Sequence, residues 1–263
     1  MRNCRSKDRE KMLYAIFSDI HANPQAFDKA LADAREHGAE RFMCLGDVVG
    51  YGPDPRGAVK SVRAACGVTL MGNHDAATAG LIDTWNFRME ARVQVARHAK
   101  ELVDDELEWL RELKYVYRAP GNAFAAAHGT LAHPMDFGYI SKESEARMAF
   151  AELARKGLRL LFVGHTHFSM WCSIDAGGHI VAERADELKL EKGKMYIVNV
   201  GSVGYPRNEP HSVYALYDTH LKVVRWRRLA FDFDGYFKRM EAANAFIAPW
   251  LRANAEVARR GGG

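Results

Sequence analysis

Five apolar runs in this 263-residue chain each end on residues able to bind a metal, and few folds accommodate that arrangement. Residues 13–17 are followed by Asp19-Ile20-His21, residues 42–45 by Gly46-Asp47, and residues 68–71 by Gly72-Asn73-His74-Asp75. Further on, residues 124–127 lead to His128-Gly129, and residues 158–163 lead to Gly164-His165-Thr166-His167. Short, nearly continuous apolar runs are the pattern of strands buried on both faces. Loops at the ends of such strands present side chains from a rigid scaffold. Any one segment alone is weak evidence, because Asp, Asn and His also cap helices and fill turns. Five in series are not.

Helical patterns separate the runs. Asn23-Pro24 offers a cap and a first helical residue, and Ala26, Phe27, Ala30, Leu31 and Ala34 make one apolar face that Gly38 ends. The loop over residues 46–55 is dense in Gly and Pro, and Asp54-Pro55 starts a second helix running to about Ala65. This alternation predicts parallel strands with right-handed crossovers. Residues 76–113 read as helical, with Leu102, Leu107, Leu110 and Leu113 spaced for a packed helix pair. Asp104-Asp105-Glu106 is read as the start of the second of these helices, where a positive dipole end favours carboxylates, rather than as a metal site, since no His accompanies it. After Pro120-Gly121 the pattern turns to strands at 122–127 and 158–163, with a helix over 142–156 between them. A hairpin is expected over 168–182, further strands at 195–200, 213–218 and 221–229, and one final amphipathic helix over 237–257. No linker or repeat interrupts the chain, so residues 12–263 are expected to form a single domain behind a flexible N-terminal tail, residues 1–11.

Composition excludes several function classes. Hydrophobic content of 48% and charged content of 27% are those of an ordinary soluble globular protein. A formal net charge of +4 is too mild to argue for nucleic acid, and Lys222, Arg225, Arg227 and Arg228 around Trp226 read as a charged strand face rather than an RNA site. No stretch approaches the roughly 20 apolar residues of a membrane span, and the first eleven residues lack the apolar core of a signal peptide. A cytoplasmic location is the expectation. Cys4, Cys44, Cys66 and Cys172 are widely spaced without a C-x-x-C pair, which suits reduced thiols rather than a disulfide framework or zinc knuckle.

Asp, His and Asn without Cys suit a borderline-hard divalent ion: Mn, Fe, Zn, Co or Ni. Two such ions about 3.5–4 Å apart can clamp a phosphoryl group and generate a hydroxide between them. Asp47, between the Asp-x-His and Asn-His segments, is the candidate to bridge them through its two oxygens. The order Asp-x-His, Gly-Asp, Gly-Asn-His-Asp, His, Gly-His-Thr-His resembles the calcineurin-like metallophosphoesterase superfamily from Ser18 to about Ser202. The phrases Gly46-Asp47-Val48-Val49-Gly50-Tyr51-Gly52-Pro53 and Asn199-Val200-Gly201-Ser202-Val203-Gly204-Tyr205-Pro206-Arg207 further resemble its small prokaryotic phosphodiesterase-like branch.

That resemblance implies an α/β (α+β) fold, a two-sheet β-sandwich flanked by helices with the site at the strand ends. It implies one metal on Asp19, His21, Asp47 and His167, and a second on Asp47, Asn73, His128 and His165. His74 matches the family histidine that contacts the phosphate and protonates the leaving oxygen; an imidazole with a reference pKa of about 6.5 suits that task. Asp75 is placed with it as a catalytic candidate that orients His74, with helix capping as the alternative. Asn23, Tyr51 and Arg207 are candidate substrate contacts; an N-cap role suffices for Asn23, and a surface ion pair is the alternative for Arg207. His37, His98, His133, His179, His211 and His220 are set aside as surface or satisfied histidines.

The expected activity is dinuclear, metal-dependent hydrolysis of a phosphoester by attack of a metal-bridging hydroxide. Phosphodiesters are favoured over monoesters, and the substrate class is small-molecule phosphoesters, nucleotides included. The protein phosphatase branch continues Gly-Asp to Asp-Arg-Gly and places Arg before Gly-Asn-His-Glu, whereas this chain has Val48-Val49 and Met71…Asp75. The same departures separate it from the symmetrical diadenosine-tetraphosphate hydrolases. The alternatives are a metal-free protein-binding scaffold on the same fold, a nucleotide or protein phosphatase, and a nuclease. A scaffold is expected to have lost ligands, and none is missing here. Substrate choice is expected to lie with the 76–118 helices and the 130–140 loop.

Overall fold

The structure is a computed structural model describing residues 11–207 and 209–261. Of the expected tail over 1–11, all but Lys11 lies outside the described residues. The first half runs β1 (Leu13–Phe17), α1 (Pro24–Glu36), β2 (Arg41–Cys44), α2 (Pro55–Ala65), β3 (Val68–Thr69), α3 (Asn73–Thr78), α4 (Met89–Glu101), α5 (Asp104–Arg111), β4 (Val116–Arg118) and β5 (Ala125–Ala127). It continues with α6 (Glu143–Arg155), β6 (Leu160–Val163), β7 (Ser169–Ile174), β8 (Ile180–Glu183), β9 (Glu187–Lys189), β10 (Met195–Val200), β11 (His211–Asp218), β12 (Val223–Ala230), α7 (Phe233–Ala242) and α8 (Pro249–Gly261).

Two mixed six-stranded sheets stack face to face, in the orders β3-β2-β1-β11-β12-β9 and β4-β5-β6-β10-β7-β8. The period-two alternation of each strand builds the layers. Ile16, Phe162, Val198, Val213, Ala215 and Tyr217 point between the sheets into a shared core, where the Phe124 ring meets Tyr14, Phe162 and Tyr217 at 5.2, 5.4 and 5.7 Å. The intervening residues face outward. Ala15, Phe17 and Leu216 pack with Phe27, Ala30, Leu31, Val59 and Val62 of α1 and α2, and Leu161 and Ile197 pack with Phe150 and Leu153 of α6. The two-sheet sandwich flanked by helices is the expected fold.

Local chemistry sets the early helices. The Asn23 carbonyl accepts from Ala26 N at 3.3 Å and the Asp54 carboxylate accepts from Gly57 N at 2.8 Å, each followed by a helix-starting proline. Two helical expectations are corrected. Residues 76–113 hold three helices, and residues 79–88 leave the helix to form a wall of the cleft described below. The last segment is two helices, broken where Asn244 takes φ 48° and Pro249 restarts the chain. The strands β4 and β9, three residues each, were too short to leave a pattern in the sequence.

The Asp104–Glu106 run does start α5. Glu106 accepts from Val103 N at 3.0 Å, while Arg56–Glu106 and Arg63–Asp105 pairs tie this helix to α2. Arg225, Arg227 and Arg228 pair with Glu187, Asp33 and Glu209, and Trp226 is buried, as a charged strand face requires. Cys44, Cys66 and Cys172 form no disulfide. Among the described residues no helix is long and apolar enough to cross a membrane.

Candidate metal centre

Parallel pairing of β1 with β2 brings the ends of both strands to one edge, and the loops beyond them continue side by side. Asp19 N donates to Gly46 O at 3.0 Å, His21 N to Asp47 O at 2.9 Å and Ala22 N to Val48 O at 2.9 Å. From the other sheet, β5 and β6 deliver His128 and the 164–167 loop, joined by Gly164 N to His128 O at 2.9 Å. Asn199 braces that loop, donating to Gly164 O at 2.7 Å and to Thr166 Oγ1 at 2.9 Å. Asp19, His21, Asp47, His165 and His167 all have φ between 48° and 67°. Strained left-handed backbone at non-glycine residues costs on the order of 1–3 kcal/mol each and clusters at functional sites. At Gly72 an added Cβ would run into Asp47, so glycine lets α3 press its first turn onto that carboxylate.

The side chains are aimed by their outer hydrogen bonds. The Nδ1 atoms of His21, His128 and His167 face the carbonyls of Val49, Leu45 and Tyr205 at 3.2, 3.0 and 2.6 Å. A nitrogen facing a carbonyl carries a proton, which leaves Nε2 of His21 and His167 as a lone pair, whereas Nε2 of His128, facing Asp47, is held by either a proton or a cation. The two lone pairs, His21 Nε2 and His167 Nε2, approach to 3.1 Å, with Asp19 Oδ1 at 3.7 and 3.3 Å from them. His128 Nε2 meets Asp47 Oδ2 at 3.2 Å and His165 Nδ1 at 3.1 Å. Around His21, His167 and Asp19 acceptors converge without a donor between them, an arrangement that suits a cation. Asp19 Oδ1, Asn73 Oδ1 and His165 Nε2 are buried without a hydrogen-bond partner, which fits the same demand.

Two groupings emerge whose ligand atoms all lie within 4.8 Å of one another: Asp19, His21 and His167, and Asp47, His128 and His165. His21 also groups with Asp47 and His74, linking them. Asp47 connects them differently from expectation. Its Oδ1 is held by His74 N at 2.9 Å, so Oδ2 alone faces both His21 Nε2, at 3.7 Å, and His128 Nε2.

Burial pushes the Asp19 carboxyl up to about 6 and holds His21, His165 and His167 neutral, the form a metal ion binds. Burial also raises the Asp47 carboxyl, but the charge and hydrogen bond of the facing His128 outweigh it and bring it well below the usual carboxylate range. His128 is pushed up to about 9 by Asp47, against burial. Positive charge is favoured at that position.

The remaining candidates separate. His74 lines the cleft with its Nδ1 unpartnered, between the rings of His21, Tyr51 and Phe87 at 5.0, 4.6 and 5.1 Å. Burial pushes it down to about 4, so its ring is neutral at pH 7 and not the ready proton donor that its reference pKa implied. Asp75 does not orient it: Asp75 Oδ1 accepts from Val49 N at 3.0 Å and Oδ2 from Gly72 N at 3.1 Å, which is the capping alternative. Asn23 is likewise turned away, accepting from Ala26 N and donating to Gly204 O at 3.2 Å. Tyr51 and Arg207 do line the cleft, with Arg207 Nη2 donating to Tyr51 Oη at 3.2 Å. Arg207 makes no ion pair with a carboxylate of the described residues, so its surface-pair alternative is not realised.

The cleft over these residues has a volume of about 1230 Å³. Its walls come from residues 81–91 and 135–141, within the segments expected to select substrate, and from Phe168 and Met170. Tyr139, not singled out in the sequence, stacks on His165 at 4.0 Å. Nor was His98, set aside as a satisfied histidine, given its job: it is fully buried, and its Nδ1 accepts from Gly50 N at 3.0 Å while Nε2 faces Gly52 O at 3.0 Å, bracing the glycine-rich loop. No sequence signal marked either, because each acts through a segment distant in the chain.

Residues 12–222 match the calcineurin-like phosphoesterase superfamily domain. An uncharacterized protein of Methanocaldococcus jannaschii is 25% identical over 233 residues, 88% of this chain and 92% of its own. A metallophosphoesterase of Sphaerobacter thermophilus superposes with a TM-score of 0.79 at 28% identity, covering 94% of this chain and 99% of that one. A Pyrococcus horikoshii protein shares the fold with a TM-score of 0.70 at 18% identity, over 92% of this chain and 97% of its own.

Proposed function

The chain belongs to the calcineurin-like phosphoesterase superfamily, and from that premise we propose that it is a dinuclear metal-dependent hydrolase of small-molecule phosphodiesters. The observation that carries this reading is the convergence of acceptors on two adjacent points joined by Asp47 Oδ2. One ion is assigned to Asp19, His21, Asp47 and His167, and the other to Asp47, Asn73, His128 and His165. Bound there, a pair of divalent ions supplies a nucleophile at neutral pH and countercharge for the phosphoryl oxygens.

The chain's own residues do the rest. The carbonyls of Leu45, Val49 and Tyr205 fix three imidazoles in the tautomer that binds. His74, lining the cleft, donates a hydrogen bond to the leaving oxygen, while Arg207, resting on Tyr51, stays available to a more distant anionic group of the substrate. The open cleft, far larger than a phosphoryl group, leaves room for ester groups on both sides of phosphorus, which favours diesters. The same reading takes residues 12–263 as one domain acting in the cytoplasm, with nucleotides among the candidate substrates.

The test is hydrolysis of bis(p-nitrophenyl) phosphate beside p-nitrophenyl phosphate, with Mn, Fe, Zn, Co and Ni supplied in turn and Asp47→Asn as control. Metal-restored turnover, faster on the diester and lost in the variant, is the expected result. A folded protein inactive with every ion would overturn the reading and favour a protein-binding scaffold on the same fold.

A further inference from the structure

Resting on the phosphoesterase reading, we infer that the substrate carries a second oxyanion beyond its scissile phosphoester, and that Arg88 and Arg207 hold it at the rim of the cleft. Both arginines line the main cleft and also a smaller pocket of about 260 Å³ beside it, with Tyr51 as their shared wall. Neither guanidinium makes an ion pair with a carboxylate among the described residues. The carboxylates that line the two pockets, Glu90 in the side pocket and Asp47, Asp83 and Asp136 on the cleft, form no ion pair with either. Two arginines close by in the chain or on the neighbouring helices are paired, Arg97 with Glu101 and Arg252 with Glu241. Two unneutralised guanidiniums at one rim form a bidentate oxyanion site.

The rim is built, not incidental. Asn254 Nδ2 on α8 donates to Arg207 O at 2.7 Å, and the Trp250 ring abuts Tyr205 at 5.2 Å. Tyr205 in turn stacks on Tyr51 at 4.3 Å with an interplanar angle of 4°, and the Arg207 guanidinium lies 5.7 Å above the Tyr51 ring. Arg88 is the N-cap of α4, at the end of the irregular 79–88 wall. Tyr139, whose ring stacks on His165, lines the same cleft as both arginines. A phosphoester centred on the metal ligands therefore shares one cleft with the two guanidiniums, within reach of its distal end. Most of the other wall is apolar, with Leu81, Ile82, Phe87, Met135 and Phe168, so the rim is where a second charge is recognised.

The experiment compares p-nitrophenyl phosphate diesters with the same leaving group and metal. One series has a neutral alkyl chain, a second ends in a carboxylate and a third in a phosphonate, each over matched chain lengths. Wild-type kcat/KM should favour one acidic series by about ten- to a hundredfold at its best length, and which one names the oxyanion. Arg88→Gln should collapse that ratio toward one, and Arg88→Lys should restore part of it. Equal rates for acidic and neutral chains at every length would overturn this inference and leave the phosphoesterase reading standing. A preference that survives Arg88→Gln would overturn the assignment to Arg88. Failure to hydrolyse any ester with any ion would overturn the parent reading, and this inference with it.

Discussion

Both oxygens of Asp75 accept backbone N–H groups, Val49 in the glycine-rich loop and Gly72 at the start of α3, so this carboxylate binds the two segments that flank Asp47. An asparagine offers one acceptor and turns its NH2 against the second N–H. Asp75→Asn is expected to cost about 1–3 kcal/mol, read as a lower urea midpoint with an unchanged m value. Its neighbour behaves differently. His74 lines the cleft, its Nδ1 is buried beside Gly50 without a partner, and its ring packs against His21, Tyr51 and Phe87. His74→Ala should leave metal content nearly unchanged and lower the melting temperature only as far as its lost packing requires, while kcat on an alkyl phosphodiester falls by about 10²–10⁴-fold. Unchanged turnover on such an ester would remove His74 from the reaction. An aryl ester would decide nothing, because its leaving oxygen needs little help.

At the level of elements, Asp33 shows how a helix is locked to a sheet. From α1 it takes two hydrogen bonds from Arg227 of β12, at 3.0 and 2.9 Å, and one from Tyr214 of β11 at 2.6 Å. The Arg227 hydrogen bonds, aided by Tyr214 and opposed by partial burial, hold its carboxyl below the usual range. The folded state then binds fewer protons than the unfolded one below about pH 4, so this contribution is full above that pH and is lost as pH falls through the lowered value. Asp33→Asn should be less stable than wild type by on the order of 1–2 kcal/mol at pH 7, with the gap closing below about pH 4. A gap in urea midpoint that is constant from neutral to acid pH would refute the pairing. The helices whose starts are written locally, Asn23-Pro24 and Asp54-Pro55, were legible in the sequence for the same kind of reason. The breaks at 79–88 and 243–248 were not. Gly80, Asp83, Thr84 and Asn86 weaken the first as a helix and Asn244 and Pro249 break the second, yet the apolar spacing on either side reads through both as continuous helix. The positions of Asp19, Asp47, His128 and His165 were legible because a strand end fixes where the next side chain goes. Arg88 and Tyr139 stand on irregular segments that no local pattern places.

For the whole molecule, the two sheets share one apolar core, yet at the site edge they meet through polar groups alone. Asp19, His21 and Asp47 follow strands of one sheet, while His128, His165 and His167 follow strands of the other. Their buried lone pairs and carboxylates carry a desolvation cost that a cation between the sheets would offset. Divalent ions that bind the folded chain and not the unfolded one should therefore act as a cross-sheet clamp. At a hundredfold excess over Kd, each contributes about 2.7 kcal/mol. Stripping the protein with a chelator is expected to lower Tm by several degrees, and added Mn to restore it. Asp47→Asn should blunt the response, because the carboxylate facing both groupings loses its charge. The readout is stability, so it stands apart from turnover: a metal-restored Tm without hydrolysis would keep the metal centre and discard the chemistry assigned to it. An apo protein whose Tm ignores Mn, Fe, Zn, Co and Ni alike would mean that the converging acceptors are satisfied by protons, as the raised pKa of His128 already permits on its side.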